Sequence, residues 1–157
     1  MGARAFAPSG RALLMPDTNV YISAAAGTLP APVQDLVERA LLFHCSVCLS
    51  ELAIGVANAD PSLASWPALA SHYVELFDSI PPARLLNPDA QVWADASVVA
   101  GVLARTQGLQ RHQRKECLND ALIYLTAAKA GLAVLTADRE QFDLIQQLAA
   151  EGQFIHF

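Results

Sequence analysis

A chain of 157 residues with 54% apolar and 16% charged side chains can bury one substantial core, which excludes a disordered chain and a small fold that needs disulfide staples. Its formal net charge of −5 excludes a generally basic nucleic-acid coat but leaves room for a local basic patch. The opening MGARAFAPSGR has no apolar stretch of secretory length, and later apolar runs break before about 18 residues. A single cytoplasmic domain, 1–157, is therefore expected, with residues 1–11 as a flexible extension and no membrane segment.

Ala12 to Pro16 form a short apolar run that ends at Asp17, and TNVYISAAAG then reads as a short helix closed by Gly27. After Leu29-Pro30-Ala31-Pro32, the recurrence of Val33, Leu36, Val37, Ala40 and Leu41 predicts a helix running to about Phe43. His44 to Leu49 is strand-like, and Ser50 with Glu51 is expected to open a third helix that ends by Asn58 to Pro61. Cys45, Cys48 and Cys117 form an odd set in a chain with an ample core, so reduced, buried thiols are expected. The Cys45/Cys48 spacing suits redox or zinc chemistry, but in a strand residues three apart point to opposite faces.

Leu63 to Phe77 reads as a helix with an irregularity at Pro67, and Arg84 to Leu86 as a short strand after Pro81-Pro82. A long helix is predicted from about Pro88 to Thr106, then a polar loop from Gln107 to Glu116, then a helix from Cys117 to Ala130 capped by Gly131. Leu132 to Thr136 is a buried strand, Glu140 to Ala150 a last helix, and Phe154 to Phe157 an edge strand. Strands alternating with helices predict a three-layer α/β/α fold with a mainly parallel central sheet. Trp66, Trp93 and Tyr124 lie on apolar helical faces and read as core rather than as stacking surfaces for bases. His44, His72 and His156 show no ligand spacing.

Four acids, Asp17, Glu51, Asp120 and Asp138, each stand where an apolar run gives way to a turn or helix. A carboxylate beside apolar sequence is costly to desolvate without a cation or donors, and a divalent metal is the economical shared partner. Strand ends of an open parallel sheet face one crevice, so acids distant in sequence can meet there. Taken singly, Asp17 and Asp138 read equally well as helix caps, while Glu51 and Asp120 read as acids in the first turn of a helix. Taken together they suit a nuclease, which needs several carboxylates to hold one or two hard cations. Asn19, just after Asp17, could orient a water. Arg111, Arg114 and Lys115, with His112 and Arg105 nearby, form a basic loop ahead of Asp120 that suits phosphate contacts or is simply solvated surface.

The segments DTNVYI, SELAIGV, DALIYLTAAKAGLAVLTAD and REQF resemble, in this order, the PIN-domain ribonucleases, especially the VapC-type toxins of VapBC toxin–antitoxin pairs. The resemblance spans roughly residues 12–150. It implies that Asp17, Glu51, Asp120 and Asp138 are the catalytic, metal-holding acids, with Asn19 and Thr136 in support. It further implies Mg2+ or Mn2+ as cofactor, RNA as substrate, a homodimer, and an antitoxin whose peptide covers the acids. Glu140 and Gln141 precede Phe142 where many members carry a second Asp, so either Glu140 or Asp143 is the candidate for an additional ligand.

Two rivals remain. In a haloacid-dehalogenase-type phosphohydrolase Asp17 would be a nucleophile, but Asn19 stands where that pattern requires a second Asp. A PIN-like scaffold that binds RNA or protein without cutting is disfavoured by the presence of all four acids.

Overall fold

The computed structural model describes residues 10–157. The expected extension 1–11 falls on residues 1–9, which lie outside that range, and on Gly10 and Arg11, of which Arg11 donates to the Arg39 and Ala40 carbonyls at 3.0 and 2.8 Å. In chain order the elements are β1 (Leu13–Pro16), α1 (Thr18–Ala26), α2 (Ala31–Arg39), β2 (Leu41–Leu42), β3 (His44–Cys45), α3 (Ser46–Asn58) and α4 (Trp66–Ser79). After a 3-10 turn, Pro82–Arg84, come β4 (Leu85–Leu86), α5 (Ala90–Thr106), α6 (Arg111–Lys129), β5 (Ala133–Thr136), α7 (Arg139–Leu148) and β6 (Gln153–His156).

The main sheet runs β2-β1-β5-β6 with every pairing parallel, and β3 pairs with β4, also parallel, in a small second sheet. This is the three-layer α/β/α arrangement expected from the alternation of elements, and the fold that the PIN resemblance implies. The central strands β1 and β5 are apolar up to Thr136, the last residue of β5, because helices cover both faces of the sheet: Leu14, Met15, Val134 and Leu135 are all at most 1% exposed. Pro16 ends β1 opposite Leu135, and the next amide, Asp17, still donates to the Leu135 carbonyl at 2.9 Å. Both central strands therefore deliver their carboxyl ends to the same edge of the sheet. The largest core cluster lies under α5, α6 and α7 and includes Leu122, Tyr124, Phe142 and Ile145.

Several boundaries differ from the sequence expectations. The helix expected to reach Phe43 stops at Arg39, and Leu41–Leu42 is instead the edge strand β2 beside β1. The strand expected over His44–Leu49 is only His44–Cys45, because α3 begins at Ser46. Cys45 and Cys48 are thus an N-cap and a first-turn residue rather than neighbours on a strand, although both are buried and free as expected. The expected loop 107–116 is largely helical: α6 starts at Arg111, its entry closed by reciprocal hydrogen bonds between Gln110 and Gln113. Trp93 is not core, being 48% exposed, whereas Tyr124 is fully buried.

Candidate functional site

Asp17 follows β1 and caps α1. Its Oδ1 accepts from the Thr18 amide at 2.7 Å, and its Oδ2 accepts from Thr136 Oγ1 at 2.8 Å and Asn19 Nδ2 at 3.0 Å. Thr136, at the end of β5, also accepts from the Asp138 amide at 3.0 Å, and Asn19 Oδ1 accepts from the Ala137 amide at 3.2 Å. Asn19 and Thr136 are therefore a clasp that joins two strand ends and aims the Asp17 carboxylate. Asp138 caps α7 by accepting from the Gln141 amide at 3.1 Å and is exposed. The helix-cap readings of Asp17 and Asp138 are real, and the caps leave oxygen lone pairs on both.

Glu51 and Asp120 are placed differently from the expectation. Neither lies in a first turn: Glu51 is inside α3 and Asp120 is inside α6. An acid there gains nothing from the helix dipole, whose effect fades beyond the first turn, so the structural explanation from sequence disappears for both. Glu51 accepts from Thr18 Oγ1 at 2.7 Å and from Asn119 Nδ2 at 3.2 Å. Sequence reasoning gave no role to Thr18 or Asn119; their adjacency to Asp17 and Asp120 was the only available signal.

The electrostatics tie the four acids together. Burial raises the Asp17 carboxyl above its ordinary range, hydrogen bonds from Thr136 and Thr18 pull it back, and the charges of Glu51 and Asp138 raise it again. Burial raises Asp120 well above the ordinary range, and Asp17, Glu51, Asp138 and Glu116 add repulsion. Among the described residues the ion pairs are Lys129–Asp89 and Arg139–Asp143, and neither reaches these acids. A partly buried group of carboxylates without a protein cation is a hard-oxygen donor set, which fits Mg2+ or Mn2+. Among the described residues no three acidic, imidazole or thiol groups stand together as a ready-made cage, so an ion would have to draw the side chains inward.

Of the remaining candidates, Glu140 is exposed in the first turn of α7 and Asp143 takes the Arg139 Nε at 3.4 Å. Arg111, Arg114 and Lys115 are exposed on the opening turns of α6. Arg114 Nε is committed to the Leu109 carbonyl at 3.1 Å. Two grooves flank α3. One, of about 470 Å³, is strongly apolar and lies between α1, α3 and α4, lined by Tyr21, Ile22, Leu69 and Leu76 and also by Thr18 and Glu51. The other, of about 320 Å³, lies between α3, α5 and α6.

The sequence profile of the PIN domain matches residues 14–147. No curated protein matches the chain. Among solved structures, the chain is similar to FitAcB from Neisseria gonorrhoeae, with 23% identity, a TM-score of 0.63, and coverage of 91% of this chain and 96% of that one. It is similar to VapBC-1 from nontypeable Haemophilus influenzae at 19% identity and TM-score 0.64, covering 92% and 97% of the two chains. VapBC-5 from Mycobacterium tuberculosis, a member of the VapBC family of toxin-antitoxin systems, matches at 22% identity and TM-score 0.61, covering 93% and 99%. At these identities the structural likeness speaks for the fold.

Proposed function

The chain belongs to the PIN-domain family, and from that premise we propose that it is a magnesium- or manganese-dependent endoribonuclease, the toxin of a toxin–antitoxin pair that acts in the cytoplasm. The observation that carries this reading is the group of Asp17, Glu51, Asp120 and Asp138, in which Glu51 and Asp138 raise the cost of charge on buried Asp17 and Asp120 while no ion pair among the described residues reaches any of the four. A divalent ion bound there would polarise the scissile phosphate and activate water. Asp17 and Asp120 would hold it, Glu51 and Asp138 would complete or bridge to its ligands, and Glu140 is the nearer candidate for an additional ligand because Asp143 is engaged by Arg139. Asn19 and Thr136 fix the direction of the Asp17 carboxylate and so set where an ion can sit.

Single-stranded or looped RNA suits the site, since the phosphate has to reach a crevice edged by helices. Arg111 and Lys115 are the basic side chains of α6 best able to meet phosphates, Arg114 being partly occupied. The apolar groove, with Glu51 in its lining, supports an antitoxin peptide as partner: apolar side chains would fill the groove and an Arg would pair with Glu51. The similar structures include toxin-antitoxin assemblies, and a homodimer is part of the same reading.

The deciding experiment is Asp120→Asn, which keeps the shape of the side chain and removes its charge. Cleavage of single-stranded RNA under magnesium is expected to be lost, with the melting temperature of the metal-free protein equal to or above that of the parent. Cleavage at the parent rate would remove Asp120 from the site. A parent protein that binds RNA and never cuts it under either metal would establish the non-catalytic scaffold instead.

A further inference from the structure

On the endoribonuclease reading, we propose that the groove between α3, α5 and α6 seats the nucleotide next to the scissile phosphate, with the Trp93 indole as the stacking surface for its base. Trp93 escapes the core for a geometric reason. The buried face of α5 is Val92, Ala96, Val99, Ala100 and Leu103, and the residue after Val92 is turned about 100° away from it by the helix. The indole, 48% exposed, lines the groove together with Asn87, Ser50, Ile54, Lys115 and Asn119.

The groove is joined to the acids by a hydrogen bond. Asn119, one wall residue, donates to Glu51 Oε2 at 3.2 Å and immediately precedes Asp120, and Ser50 immediately precedes Glu51. Lys115 lies one helical turn before Asn119, which puts its ammonium on the same side of α6. A bound strand would thus meet an aromatic plane, a cation for a phosphate, and amide and hydroxyl groups for a base edge, in a groove whose Asn119 holds Glu51. An apolar protein surface laid here would desolvate the Asn87 and Ser50 side chains and the Lys115 ammonium, whereas an RNA base with its waters and a phosphate can pair with them. The groove on the other side of α3 is more strongly apolar and has no Lys or Arg in its lining, so the two grooves suit different occupants.

The test uses the whole chain in calcium, to hold the acids together while slowing cleavage, and a short single-stranded oligoribonucleotide as probe. The chain has two tryptophans, and Trp66 is anchored by its Nε1 to the Val56 carbonyl at 3.1 Å. RNA should quench the parent's tryptophan emission, and Trp93→Phe should lack that quench. Trp93→Ala should bind roughly 5- to 150-fold more weakly and Trp93→Phe in between, as expected when one base–aromatic stack is removed. An abasic residue at the flanking position should weaken parent binding and leave Trp93→Ala unaffected. The quench is read on the unmodified protein, so it stands even if a variant folds poorly. If the parent binds and cuts RNA but its emission does not change and Trp93→Ala binds equally well, the inference is overturned while the nuclease reading survives. Emission that responds to protein dilution rather than to RNA would make this face an interface between copies and also overturn it. A parent that neither binds nor cuts RNA removes both.

Discussion

Asp17 shows how a carboxylate can receive three hydrogen bonds and still titrate high: donors from Thr18, Asn19 and Thr136 favour its charge, but burial and the neighbouring acids outweigh them. Asp120 has the larger displacement, by burial and then by the charges of Asp17, Glu51 and Asp138. A carboxyl raised in the folded state binds more protons there than in the unfolded chain, so the stability these two groups carry falls as pH rises from the ordinary carboxylate value through the raised one. His44 works in the opposite direction. Burial, with Arg84 nearby, lowers it from 6.5 to about 4, and its contribution is lost as pH falls through that window. Magnesium competes with protons at the carboxylates and not at His44. The rise in melting temperature on adding magnesium is therefore expected to be larger near neutrality than near pH 5, a difference in which the His44 contribution cancels. Equal shifts at both pH values would place the ion away from these acids.

At the scale of elements, the close packing of the segment before β6 against α6 sets a tight limit. Gly152 lies against the ring of Tyr124, whose hydroxyl donates to the Ala149 carbonyl at 2.9 Å, and a Cβ on residue 152 would overlap that buried ring. Gly152→Ala is expected to destabilise by about 1–3 kcal/mol, read by chemical denaturation, because the ring cannot turn aside without breaking its hydrogen bond. An unchanged midpoint would mean that β6 shifts freely. The central strands were legible in the sequence because they are continuous apolar runs bounded by turns, and most helices because their apolar residues recur at helical spacing, and so were the positions of Asp17 and Asp138 just past the strand ends. The opening of α6 was not: RHQRKE faces water on all sides, so it carries no apolar period, and its start is fixed by the side chains of Gln110 and Gln113. That misplaced boundary put Asp120 in a first turn and lent it a structural explanation it does not have. The strands β2, β3 and β4 are two residues each, too short for any alternation to show. Trp93 was misread because its neighbours on α5 are apolar, whereas only position on the helix separates the buried face from the exposed one.

Taken whole, the molecule carries a net charge of −5, yet the substrate proposed for its candidate site is a polyanion. The basic face of α6 has to do this locally. Replacing Arg111, Arg114 and Lys115 together by Ala should weaken RNA binding in calcium and reduce the salt dependence, by a slope of about 0.7 for each phosphate that is no longer neutralised. Lys115→Ala alone should account for more of that change than Arg114→Ala, whose guanidinium is spent on Leu109. An unaltered slope would route the strand elsewhere. Finally, the clasp between Asp17 and Thr136 joins residues separated by 119 positions, and β5, the strand that brings Thr136, lies at the centre of the sheet. During synthesis Asp17 leaves the ribosome early but waits for almost the whole domain before β5 can insert beside β1. A nascent chain that has not yet delivered residues 133–136 cannot aim its first acid, so the proposed nuclease would be harmless to the messenger that encodes it until translation of the domain is nearly done.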